Sequence, residues 1–159
     1  MDGTESVRAR YRPETITTLF VGESAPFAGT FFYYGNGQIW RNLQTTVDTV
    51  FGRDGDFLDR FKSFGWYLDD LVLTPVNHLS LQQRKIMRLN ARNNFVSRLV
   101  EYRPEAIVCL MKGIGDIVSE ATMAAGCRRS AFSVPYPGNG QQRRFHEQMA
   151  AILPLLPRH

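Results

Sequence analysis

Four short apolar runs, each followed by a stretch of helical periodicity, constrain this chain more than any other feature. Thr17 to Val21 reads TTLFV and ends at Gly22; Trp66 to Leu73 reads WYLDDLVL and is closed by Pro75; Ala106 to Met111 reads AIVCLM; Ser130 to Val134 reads SAFSV. Short runs rich in β-branched and aromatic residues, punctuated by Gly and Pro, are buried strands. Between them, Gln38 to Phe51 places Ile39, Leu43, Val47 and Val50 on one helical face, and Asp56 to Phe64 forms a second short helix with Phe57, Leu58 and Phe61 inward. Ser80 and Gln83 make a capping box. They open a long helix that reaches Tyr102 and stops before Pro104, with an apolar line through Ile86, Leu89, Val96, Leu99 and Val100. Gly113-Ile114-Gly115 leads into a helix ending at Gly126, and Gln141 to about Leu153 is the last helix. Apolar strands alternating with amphipathic helices imply an α/β fold, a parallel sheet covered on both faces.

The 159 residues suit one domain of roughly 150. Residues 1–15 read as a flexible or loosely docked arm, and 16–159 as the single domain. No apolar run approaches the ~20 residues of a spanning helix. The polar start, MDGTESVRARYRPE, lacks a signal's apolar region, so the expected address is the cytoplasm. Cys109 and Cys127 form no CxxC pair, and His78, His146 and His159 form no ligand spacing, so neither a metal nor another cofactor is expected. The net charge is +4, with 16 Arg against three Lys. An Arg-rich basic chain favours polyanionic partners, although Arg usage alone is equally explained by a GC-rich genome.

Ligands of such sheets bind outside the carboxyl ends of the strands, which directs attention to loops 22–37, 74–79, 112–115 and 135–142. In the first, Glu23 and Ser24 leave the strand at Gly22, where a carboxylate and a hydroxyl can hold a water or steady a developing cation; capping of a local turn is the alternative. Phe27, Phe31, Phe32, Tyr33 and Tyr34 crowd the same loop, to stack a planar ligand or to build a satellite core. Asp69 and Asp70 fall on opposite faces of the second strand, and a buried carboxylate there needs a hydrogen-bond or Arg partner. The turn PYPGNG opens the helix bearing Arg143 and Arg144 and offers backbone N–H groups to an anion. Arg84, Arg88 and Arg92, at i, i+4 and i+8, read as a solvated basic stripe or a diffuse field for phosphate.

The segment LFVGESAPFAGTFFYYGNGQ resembles the first motif region of the uracil-DNA glycosylase superfamily. Gly22-Glu23-Ser24-Ala25-Pro26 is similar to its GE(A/S)PG form, Gly29-Thr30-Phe31-Phe32 to the segment that follows, and Gly37-Gln38 to the pair opening the next helix. The resemblance implies a three-layer αβα sandwich with a four-stranded parallel sheet. It also implies excision of uracil or another damaged base from DNA, single-stranded or damaged, with no obligate protein partner. It assigns Glu23 and Ser24 to catalysis. Phe32 becomes the base-stacking ring, Asp70 the base-reading residue, Tyr136 a contact to the leaving base, and Asn139, Arg143 and Arg144 contacts to phosphate.

Three positions depart from the pattern. Ser24 stands where the motif has Asp or Asn, Tyr136 where it has His, and Asp70 where it has a base-reading Asn. The cysteines of the iron–sulfur branch are absent. An ionised Asp only accepts hydrogen bonds, so it suits a base edge presenting N–H groups and repels O4 of uracil. Three readings stay open: another base, a protonated Asp70, or a register displaced by one. Two other functions also stay open, a superfamily member that binds a base or nucleic acid without cleaving it and an α/β enzyme acting on free nucleosides or nucleotides.

Overall fold

The computed structural model describes residues 3–27, 29–127 and 130–159. The four apolar runs become strands β1 (Thr18–Gly22), β2 (Trp66–Asp70), β3 (Ala106–Cys109) and β4 (Ser130–Ser133), all parallel, in the order β2-β1-β3-β4. Three are buried along their whole length, as a sheet covered on both faces requires. The helices are α1 (Gly3–Arg10), α2 (Gln38–Phe51), α3 (Phe57–Ser63), α4 (Leu81–Tyr102), α5 (Gly115–Ala124) and α6 (Gln142–Ile152). Packing of α2 on α6 and of α4 on α5 gives two helical layers and makes the fold a three-layer αβα sandwich.

Local chemistry fixes the helix starts. Asp56 caps α3 by accepting from Asp59 N, and Ser80 with Gln83 forms the reciprocal box that opens α4. Within the core, Trp66 packs against Phe20, Phe61 and Phe64 with ring centroids 5.3, 5.6 and 4.8 Å apart. No helix among the described residues is long and apolar enough to cross a membrane.

Two expectations are corrected. The start of the chain is no loose arm from Gly3 onward: it folds into α1, whose Arg8 is buried. Tyr11 stacks on Tyr33 with centroids 5.5 Å apart, so ring packing as well as charge docks the segment. The apolar line on α4 is corrected in part: Leu99 is buried and Val96 packs half-buried against the core as expected, but the other three positions turn outward. Ile86, Leu89 and Val100 are exposed, while Arg88, Phe95 and Leu99 are buried. Carboxylates at the sheet's end draw the arginine face inward, and a helix cannot bury both faces.

The chain steps from β1 outward to β2 and then crosses back to β3 on the other side of β1. That reversal opens a crevice at the carboxyl ends of β1 and β3, and the loops leaving all four strands converge on it.

Candidate functional site

A cavity of about 330 Å³ occupies this crevice. Its wall takes Glu23, Ser24, Phe31 and Phe32 from the loop after β1, Trp40 from α2, Asp70 from β2, Asn77 from the loop after β2 and Met111 from the loop after β3. Tyr136 and Asn139 come from the loop after β4. Six of the eight residues singled out from sequence therefore meet in one place. Arg143 and Arg144 do not line it. They stand exposed in the first turn of α6, and Arg143 Nε pairs with Glu147 at 2.9 Å.

Glu23 leaves β1 directly, and α4 supplies its partners. Arg84 donates from Nε to both carboxylate oxygens at 3.2 Å and from Nη2 to Oε1 at 2.6 Å. Arg88 donates from Nε to Oε2 at 2.6 Å, adds an Nη2 contact to the same oxygen, and ties Nη1 to Gly113 O at 3.2 Å. A carboxylate offers about four lone-pair positions, and here the two guanidinium groups engage them. Arg84 and Arg88 of the basic stripe thus clamp Glu23 rather than forming a solvated face, while Arg92 pairs with Glu120 at 3.7 Å. Ser24 Oγ accepts from Val76 N at 3.1 Å, which fixes the next loop, and its hydroxyl proton has no acceptor among the described residues.

Asp69 and Asp70 meet arginines from two other directions. Asp69 accepts from Arg8 Nη1 at 3.0 Å, Arg98 Nη1 at 3.0 Å and Tyr102 Oη at 2.6 Å. Asp70 Oδ2 accepts from Arg8 Nη2 at 3.2 Å. Its Oδ1 has no hydrogen-bond donor among the described residues and lies against Gly22, where a Cβ would come within 2.6 Å of it. Gly22 is therefore glycine because the carboxylate fills the space. Burial raises the Asp70 carboxyl to about 6, against the pull of Arg8. Burial also works against the Arg8 charge, but Asp70 and Asp69 outweigh it and hold the guanidinium protonated.

The aromatic loop divides its work. Phe31, Phe32 and Tyr33 are buried, whereas Phe27 and Tyr34 are exposed. Phe32 lines the cavity and packs T-shaped against Tyr33 and Phe61 at 5.0 and 5.3 Å. Tyr33 is structural: its hydroxyl donates to Leu68 O at 2.9 Å and accepts from Leu68 N at 2.6 Å. Phe27 rests on His78 with centroids 4.3 Å apart. Across the cavity, Tyr136 folds over Gly138, where an added Cβ would meet the ring at 2.8 Å. Burial raises the Tyr136 phenol, so it remains a donor. Asn139 adopts φ +53°, an Asn-tolerant left-handed turn.

Sequence reasoning missed Arg8, Trp40, Arg84, Arg88 and Arg98 as parts of this region. Its own rule that a buried Asp needs a partner called for arginines, yet spacing could not say which of sixteen would come. The Trp40 indole N–H, buried without a partner among the described residues, carries no sequence signal at all. Among the described residues no group of three or more His, Cys, Asp or Glu could hold a metal ion. No protein-family model matches the chain, and no curated protein matches it.

Proposed function

We propose that the protein holds a nucleobase turned out of DNA in this cavity and hydrolyses its N-glycosidic bond, as a DNA glycosylase does in base excision. The observation that carries this reading is the Asp70 oxygen with no donor among the described residues, in a residue that lines a ring-walled cavity at the carboxyl ends of the strands. At about 330 Å³ the cavity falls in the range of small-molecule sites. Extruding a base costs a few kcal/mol, and contact with an aromatic ring returns about 1–3 kcal/mol.

In the reaction the bond between C1′ and the base nitrogen breaks, and its electron pair leaves with the base. Water oxygen bonds to C1′, and the proton it loses ends on the departing base. Glu23 steadies the cationic sugar and takes the water's proton on the way. To do so it must be released from one Arg84 hydrogen bond, because Arg88 is buried and also anchored to Gly113. Ser24 donates its hydroxyl proton to the substrate, Phe32 packs on the base, Asp70 reads the base edge, and Tyr136 donates to the leaving base. Asn139, Arg143 and Arg144 meet backbone phosphates, with the +4 net charge favouring DNA, single-stranded or damaged. This activity needs no cofactor and belongs in the cytoplasm.

The full engagement of the Glu23 oxygens favours a second reading, binding of a base without cleavage. A panel of labelled oligonucleotides separates the two. Single and double strands carrying uracil, hypoxanthine, xanthine or an alkylated base are incubated with the protein, and alkali reveals abasic sites. Release of one base, lost in Glu23→Gln, supports the glycosylase. Salt-sensitive binding with no release supports the binding protein, and neither binding nor release overturns both.

A further inference from the structure

We infer that Arg8, delivered by the N-terminal helix α1, is a positioning residue that keeps Asp70 an acceptor, so that the cavity selects a ring whose edge presents N–H donors. This inference rests on the nucleobase reading above. It assigns the class of base, which that reading leaves open.

Arg8 is held by both aspartates and lies over the Phe31 ring. Its Nη1 and Nη2 reach Asp69 at 3.0 Å and Asp70 at 3.2 Å, and its guanidinium carbon lies 5.2 Å from the centre of the Phe31 ring. The same segment stacks Tyr11 on Tyr33. One element therefore sets both the ring wall and the carboxylate edge. The end-on contact of Nη2 to Oδ2 leaves Oδ1 open beside Gly22.

Arg8, Asp69 and Arg98 act most strongly on the Asp70 charge, and Glu23 with its partner Arg84 lines the same cavity. Arg8 comes from α1, Asp69 is its neighbour on β2, and Arg98 comes from α4. Arg98 spends its hydrogen bonds on the Asn94 and Asp69 side chains and on the Asp70 and Leu71 carbonyls, so Arg8 is the one donor to the Asp70 side chain among the described residues. The phenols of Tyr33, Tyr67 and Tyr102 are held protonated by burial and add no charge. Burial and the Asp69 charge both push the Asp70 carboxyl up, and Arg8 is the largest influence opposing them. Without Arg8 the carboxyl is pushed further up, towards its protonated form. A carboxylic acid donates where a carboxylate only accepts, so the preference at that edge inverts.

Guanosine and inosine test this directly. They share O6 and N1–H and differ only in the 2-amino group, and neither titrates between pH 5 and 7.5. In the wild-type protein at pH 7.5, guanosine should bind about tenfold more tightly than inosine, the lower end of the discrimination expected of a matched base edge. That ratio should fall towards one as pH drops through about 6. In Arg8→Gln the ratio should already be near one at pH 7.5, and Arg8→Lys should restore part of it. If Arg8→Gln does not fold, the wild-type pH series and Arg8→Lys decide. A ratio that stays flat with pH, equal ratios in wild type and Arg8→Gln, or a preference for inosine in the wild type at pH 7.5 overturns the inference while leaving the nucleobase reading intact. Absence of binding by either nucleoside, together with no binding or release of any oligonucleotide, overturns both.

Discussion

Glu23 and Asp70 stand at the carboxyl ends of neighbouring strands, both line the same cavity, and both meet arginines, yet they are left in different states. Glu23 receives two guanidinium groups from α4, and its oxygens are engaged. Asp70 receives one from α1, on one oxygen. The first cluster carries one net positive charge. In the second, two aspartates face Arg8 and Arg98, and Asp69 takes most of the hydrogen bonds. The contrast teaches that proximity to a cavity does not make a carboxylate available. Availability depends on how many donors the fold has already committed to it.

The largest way to break this comparison is to remove Asp69. Asp69→Ala strands Arg8, Arg98 and the Tyr102 hydroxyl in the interior, and breaking such buried pairs costs about 3–5 kcal/mol. Urea unfolding followed by circular dichroism reads that loss directly. Glu23→Gln is the matching change in the other cluster. It keeps the shape but removes the charge facing buried Arg88, for a loss of about 2 kcal/mol in the same experiment. Base release should fall by roughly 10²–10⁴-fold while base binding is retained. Equal loss of binding and release would mean that Glu23 serves only the scaffold.

A smaller effect distinguishes Asp70 by pH. Its carboxyl is pushed up to about 6 by burial, above the ordinary aspartate value of about 3.9. The native state therefore holds this proton more tightly than the unfolded chain. The contribution is most favourable below about pH 4 and is lost as pH rises through about 6. Asp70→Asn should remove that decline from the pH dependence of unfolding between pH 4 and 6; an unchanged slope would show that another group produces it. The smallest effect lies outside both clusters. Arg143→Ala breaks only an exposed pair with Glu147 and should change stability by less than about 0.5 kcal/mol. If Arg143 meets phosphate, the same variant lowers the salt slope of oligonucleotide binding by about 1.

The alternation of strands and helices was legible because it is written in local periodicity, as the start of α4 at Ser80 and the span of α2 show. The loops that meet at the cavity were legible for the same reason, since a parallel sheet has only one end at which they gather. What escaped was long-range and electrostatic. Periodicity on α4 offered two competing faces, one through Ile86 and Leu89 and one through Arg84 and Arg88. Only the placement of Glu23 and Asp69 decides between them. Likewise α1 has little apolar character, and it docks because Arg8 finds two buried aspartates far along the chain and Tyr11 finds Tyr33.

On the proposed reading, Asp70 rather than Glu23 is the carboxylate that meets the ligand's edge. Carbon-13 NMR of the Asp70 side-chain carboxyl during titration with guanosine tests it most directly. The Asp70 resonance should shift with ligand, and its midpoint should move from about 6 to a lower pH when the site is filled, as N–H donors stabilise the ionised form. Guanosine binding that leaves the Asp70 resonance and its midpoint unmoved would contradict it.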